Sequence, residues 1–209
     1  MFKKIDIENW ERKEHFKVFT EKTPCSYNIT TNLNIKGLRE YLKSNSLKFY
    51  PYIISIIAKA VNKHAEFRTA YNSKGELGIY DYLNPSYTVM NEQNENFISI
   101  WSAYNHDQAV TYENIIKDID QFKNCSGISP KPDTPENVLN ISAIPWVSFT
   151  GFNLNLYSGQ DYFLPIFTIG KFFNQDSETL LPLSIQVHHA VADGFHVSRL
   201  INDIQNMIN

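Results

Sequence analysis

Only two of the 209 residues are cysteine, Cys25 and Cys125, so at most one disulfide could form and both are read as free thiols of a reducing compartment. Glycine is sparse too, with 8 residues none of which adjoins another. Neither G-x-G-x-x-G nor a P-loop occurs, which argues against nucleotide-dependent chemistry. G-x-S-x-G is also missing, and with it the strained elbow of a serine hydrolase. Basic residues nowhere cluster beyond pairs such as Arg12-Lys13, and 19 basic against 22 acidic residues leave a net charge of -3. Such a surface has little to attract phosphates, so no nucleic acid is expected as a partner. No apolar run follows Met1, and the chain reads as cytoplasmic. One stretch, 137–160, has no charge and is long enough to span a bilayer, but Asn140, Ser142, Pro145, Asn153 and Asn155 interrupt it. Burying those groups in hydrocarbon is costly, and no membrane association is expected.

What the chain does have is aromatic side chains, 14 Phe, 12 Tyr and 3 Trp. They favour strands and line apolar small-molecule pockets, which hints at an aromatic ligand. With 43% hydrophobic residues the chain is globular. The proline-bearing stretch 126–137 divides it without any change of composition around it, so residues 1–209 read as one domain. Apolar spacing predicts helices over 9–20, 34–43 and 50–67. Alternation and turn signals predict strands over 26–35, 77–81, 87–90, 97–103, 140–144, 149–156, 166–173 and 180–188. The short turn 174–178 forces antiparallel pairing of the last two, since a parallel pair needs a crossover of a dozen or more residues. The expected architecture is α/β in content, an α+β two-layer sandwich whose mixed, largely antiparallel sheet is covered by helices.

Three of the six histidines fall in His188-His189-Ala190-Val191-Ala192-Asp193-Gly194-Phe195-His196, directly after the last predicted strand. Strand alternation places His189 with Leu183, Ile185 and Val187, while His188 shares the other face with Ser184 and Gln186. An imidazole in apolar surroundings is disfavoured in its charged form and keeps a nitrogen free to act as a general base. Asp193 precedes a helical pattern, Val197, Leu200, Ile201 and Ile204, where a carboxylate would cap backbone N–H groups. These residues alone leave three readings open: a catalytic base, a satisfied structural cluster, or a His-Asp-His zinc site. No Glu or Cys accompanies the cluster at a familiar ligand spacing, so no metal is expected.

The segment His188 to Gly194 has the form H-H-x-x-x-D-G of the CoA-dependent acyltransferases. Together with Trp10-Glu11-Arg12-Lys13-Glu14-His15-Phe16, Phe49-Tyr50-Pro51, Pro135-Glu136-Asn137, Asn140-Ile141-Ser142-Ala143-Ile144-Pro145-Trp146 and Phe152-Asn153-Leu154-Asn155, it resembles the classical trimeric chloramphenicol acetyltransferase family. The likeness runs over essentially the whole chain in the family's order. It implies a homotrimer that moves the acetyl group of acetyl-CoA, a co-substrate and not a resident cofactor, to the primary hydroxyl of chloramphenicol.

The same resemblance implies His189 as the general base, Ser142 as the donor to the oxyanion, and Thr168 as a helper through a bound water. Arg12 and Asp193 would form an ion pair that fixes the His189 loop. Phe19, Cys25, Tyr27, Phe97, Leu154 and Tyr162 would line the antibiotic's pocket, and Lys48 and Tyr50 would lie along the CoA path. Each active site would sit at a subunit boundary, with His189 from one chain and most of the pocket from its neighbour. Two departures stand out: Ala192 occupies a position where the family usually has cysteine, and Phe19 one where some members have tyrosine. A binder that has lost turnover, or an acyltransferase with a broader acceptor range, are the competing expectations.

Overall fold

The computed structural model describes residues 1–91, 95–156 and 161–209; the last four residues of the uncharged 137–160 stretch lie outside them. In chain order the elements are β1 (Phe2–Lys4), α1 (Lys13–Lys17), β2 (Ser26–Asn34), α2 (Lys36–Ser44), α3 (Phe49–Asn62), β3 (Thr69–Tyr71), β4 (Leu77–Tyr80), β5 (Asn84–Asn91) and β6 (Asn96–Trp101). There follow α4 (Gln108–Phe122), β7 (Val138–Ile144), β8 (Ile166–Gly170), β9 (Phe173–Gln175), β10 (Glu178–His188) and α5 (Gly194–Ile208). Seven strands form the main sheet in the order β2-β10-β8-β7-β5-β6, with β9 paired to β10, and β1-β4-β3 form a small second sheet. Only β5 with β7 and β7 with β8 run parallel. The mixed, largely antiparallel sheet expected from the sequence is therefore present.

Helix α3 is apolar on nearly every side, with Ile53, Ile54, Ile56 and Ile57 fully buried, because α4, α5 and β5 all pack against it. A helix enclosed in this way shows no polar face. Buried side chains from Phe16 to Ile208 join in one cluster. The β9–β10 hairpin turns at Asp176 and Ser177, both with positive φ, the backbone that matches the twist of the flanking strands.

Four expectations are corrected in detail. Helix α1 starts at Lys13 and widens into a π-helical turn, Val18–Lys22, rather than running regularly over 9–20. Helix α3 stops at Asn62, and a separate 3-10 turn covers Glu66–Arg68. Helix α4 was not anticipated; Asp107 caps it by accepting from the Ala109 N–H, and it buries Tyr112 and Ile115. The segment 149–156 is not a strand. Its would-be neighbours β7 and β8 are already paired to each other, so it crosses the sheet face instead. There Ser184 Oγ donates to the Phe152 carbonyl at 2.9 Å, and the Gln186 side chain both accepts from Leu154 N–H and donates to Leu154 O, at 2.9 and 2.7 Å. These side chains take up backbone groups that a ladder would otherwise satisfy. Gly170 lets the segment come close: a Cβ there would stand 2.9 Å from the Phe149 ring.

Candidate active site

The residues singled out in the sequence assemble in two places. The first lies where β10 ends. His189 donates its backbone N–H to the Cys25 carbonyl at 3.0 Å, so the loop leaves the sheet alongside the start of β2. Its ring stacks on Phe19, centroids 3.9 Å apart and planes within 8°, and meets Tyr27 at 5.2 Å. Phe19, Cys25 and Tyr27 thus surround His189. The His189 Nδ1 atom is buried and has no partner among the described residues. Burial, with the nearby Asp193 carboxylate adding to it, pushes the Tyr27 phenol up to about 12.

Arg12 holds this loop from behind. Its Nε donates to Ala190 O at 2.8 Å, Nη2 to His189 O at 3.0 Å, and Nη1 to Asp193 Oδ2 at 3.2 Å. Asp193 also caps α5, accepting from the Phe195 N–H at 3.1 Å, and His196 completes a capping box with it. The cap and the ion pair coexist in one carboxylate. Burial acts to raise its pKa, but Arg12 and His196 outweigh that and hold it below the usual carboxylate range. Among the described residues no three His, Cys, Asp or Glu side chains converge as metal ligands would.

The second place is a cavity of about 880 Å³ over the sheet, lined by Ser142, Thr168, Phe97, Leu154 and Tyr50 among others. Ser142 on β7 and Thr168 on β8 are register partners, which brings their hydroxyl-bearing residues side by side on a largely apolar wall. An adjoining recess of about 380 Å³ adds Tyr162 to Ser142, Phe97 and Leu154. Asn140 Nδ2 donates to the Tyr162 hydroxyl at 2.6 Å, leaving that oxygen's own proton to donate elsewhere. Burial pushes this phenol up to about 12 despite the Asn140 bond. The Tyr50 hydroxyl donates to Thr88 O at 2.9 Å, so this donor is already committed within the chain. Lys48 is not among the lining residues; it stands exposed at the start of α3, 3.9 Å from Asp120. Lys171, which sequence reasoning missed, is the only cationic residue lining the cavity among those described; its place beside Phe172 after β8 carried no signal.

One chain does not bring its own His189 to its own Ser142. Ser142 is level with Thr168, and Thr168 with Ser184. His189 lies five residues further along and two strands across, a Cα separation on the order of 20 Å at standard strand rise and spacing.

A mixed sheet with an HHxxxDG loop leaving its longest strand and, at a separate place on the sheet, an apolar cavity lined by a strand serine fits an acyltransferase. The chloramphenicol acetyltransferase family description matches residues 1–205. A chloramphenicol acetyltransferase of Clostridium perfringens is 48% identical over 99% of this chain and 94% of that protein, and one of Campylobacter coli is 46% identical over 100% and 99%. A solved chloramphenicol acetyltransferase superposes with a TM-score of 0.89 at 23% identity, all of both chains covered. The catalytic core of a 2-oxoacid dehydrogenase complex from Thermoplasma acidophilum shares the fold, with a TM-score of 0.68 at 12% identity over 95% of this chain and 94% of that one. The chain belongs to the chloramphenicol acetyltransferase family.

Proposed function

We propose that this enzyme transfers the acetyl group of acetyl-CoA to the primary hydroxyl of chloramphenicol. The observation that carries the reading is the His189 loop, gripped by Arg12 at two successive carbonyls, in a chain matched along its length by chloramphenicol acetyltransferases. The unprotonated His189 imidazole takes the hydroxyl proton as the oxygen attacks the thioester carbonyl carbon. Negative charge then gathers on the thioester oxygen, where the Ser142 hydroxyl donates to it and Thr168 assists through a water. Collapse breaks the carbon–sulfur bond, and the thiolate recovers the proton from the imidazolium as free CoA.

The separation of His189 from Ser142 within a chain supports a site shared between copies. In a homotrimer His189 would act together with its surrounding Phe19, Cys25 and Tyr27, facing the Ser142 cavity of the next copy. The largely apolar cavity suits an aromatic antibiotic at the Phe97, Leu154 and Tyr162 end. Tyr50 and Lys171 stand along the rest, where an ammonium can meet a CoA phosphate; Lys48 lies outside and would contribute only through long-range charge. No helix among the described residues is long and apolar enough to cross a membrane, which fits a cytoplasmic enzyme.

The test is thiol release from acetyl-CoA by the purified protein. Release should depend on chloramphenicol and vanish when its primary hydroxyl is blocked. His189→Ala should lower turnover by at least roughly 100-fold with the fold intact. Equal turnover of the blocked compound would refute the mechanism.

A further inference from the structure

His188, the neighbour of the proposed base, is only 7% exposed, and both edges of its ring are engaged. The Ala190 N–H donates to His188 Nδ1 at 3.2 Å. An accepting Nδ1 puts the ring proton on Nε2, which faces Asp161 Oδ1 at 3.3 Å. The ring face is set by Phe163, centroids 4.9 Å apart and nearly perpendicular. Burial favours the neutral imidazole and outweighs the opposing pull of Asp161. The His188 carbonyl also accepts from Val191 and Ala192 N–H, at 3.2 and 3.3 Å. One residue therefore gathers the N–H groups of the turn that follows His189, while Arg12 takes the carbonyls of His189 and Ala190.

Asp161 has a second significance. It directly precedes Tyr162, whose hydroxyl is fixed by Asn140 in the recess that holds Ser142. The His188–Asp161 contact thus joins the loop of the base to the wall of the acceptor cavity in the same chain.

We propose that His188 is a positioning residue with two separable actions. Its Nδ1 holds the turn that aims His189, and its Nε2–H, through Asp161, holds the Tyr162 wall against which the acceptor binds. This rests on the reading of His189 as the base.

The two actions can be separated by side-chain shape. Asparagine can place an oxygen where Nδ1 stands and keep the Ala190 bond, but it cannot reach Asp161. Glutamine can place an N–H where Nε2 stands and keep Asp161, but it leaves the Ala190 N–H without its acceptor. Steady-state CoA release by His188→Asn, His188→Gln and Asp161→Ala is compared with wild type, varying chloramphenicol and acetyl-CoA in turn. For His188→Gln, kcat should fall by roughly 100-fold, the scale of a displaced catalytic group, with little change in the chloramphenicol KM. For His188→Asn and Asp161→Ala, the chloramphenicol KM should rise several-fold while kcat falls far less and the acetyl-CoA KM stays put.

Identical losses in the His188→Asn and His188→Gln variants, or an unchanged chloramphenicol KM in Asp161→Ala, would overturn the proposal. If a His188 variant fails to fold, Asp161→Ala decides alone, since it alters a side chain that is one-third exposed. His189→Ala is measured in parallel. If it keeps its turnover, the underlying reading of the base has failed; if it is inactive while His188→Gln keeps wild-type kcat, only the positioning role has.

Discussion

Replacing Arg12 by alanine removes three contacts at once, and the structure says what each is worth. The guanidinium is 15% exposed, so water covers little of what it leaves behind. Two of its bonds run from a charged donor to carbonyls, at 2.8 and 3.0 Å, and bonds of that kind contribute about 1.5–3 kcal/mol each. The third partner, Asp193, is one-third exposed; solvent partly replaces the lost ion pair, which therefore adds little. The expected loss is about 3–6 kcal/mol, which for a chain of this length lowers the unfolding midpoint by roughly 6–24 °C. Turnover should fall further than stability alone explains, because the carbonyl that anchors His189 is released. Arg12→Lys can reach one acceptor and should restore part of both. Thermal unfolding at fixed protein concentration, with kcat measured on the folded variant, is the assay. Asp193 supplies an independent check: its carboxyl is held below its unfolded value, so its contribution is complete above about pH 4 and is lost as pH falls through the lower folded value. In Arg12→Ala the folded carboxyl returns toward its unfolded value, so the part of the acid limb that Asp193 contributes should become shallower. A midpoint within about 3 °C of wild type, with normal kcat, would refute the clamp.

A second buried pair behaves differently. Lys131 Nζ lies 2.7 Å from Asp118 Oδ1, the two side chains 17% and 12% exposed, and Asp118 Oδ2 accepts from Ser102 at 2.5 Å. Lys131→Met should cost about 3–5 kcal/mol by leaving a buried carboxylate uncompensated, whereas the Lys131→Met, Asp118→Leu double variant should recover much of it in denaturant titration; equal losses would contradict this. Ala192 is fully buried. Placing cysteine there with Ala192→Cys should shift stability by no more than about 1–3 kcal/mol through packing and leave kcat nearly unchanged, as parallel melting and turnover assays would show; loss of activity in a stable variant would give this position a part in the chemistry.

Sequence pattern reveals an element when one face is distinct, and it fails where pairing or enclosure decides. Strand β10 and helix α5 were legible because Leu183, Ile185 and Val187, then Val197, Leu200 and Ile204, carry clean periods up to and after the HHxxxDG turn. Helix α4 hid because its buried positions, Tyr112 and Ile115, are interleaved with Glu113, Asn114 and Lys117, and only Asp107 marked its start. The stretch Phe152-Asn153-Leu154-Asn155-Leu156 alternates like a strand, yet Ser184 and Gln186 capture its backbone with side chains, an outcome that alternation cannot distinguish. For the site, the resemblance named His189, Ser142 and Thr168 as residues, but their relation is a matter of register. That Ser142 adjoins Thr168 while His189 stands two strands away follows only from the order β10-β8-β7. The His188–Asp161 contact depends on the same long-range geometry and left no trace in spacing.

The central claim is that the base and the acceptor cavity of one working site come from different copies of this chain. His189→Ala lacks the base but keeps the cavity, and Leu154→Trp fills the cavity but keeps the base; each alone should be inactive. A cyclic trimer joins unlike surfaces, so a random equal mixture places an intact base against an intact cavity at roughly a quarter of its sites. Thiol release by the co-refolded mixture should therefore recover roughly a quarter of wild-type activity. Activity that stays at background, with mixed trimers confirmed by tagged-chain purification, would put base and cavity in one chain and contradict the account.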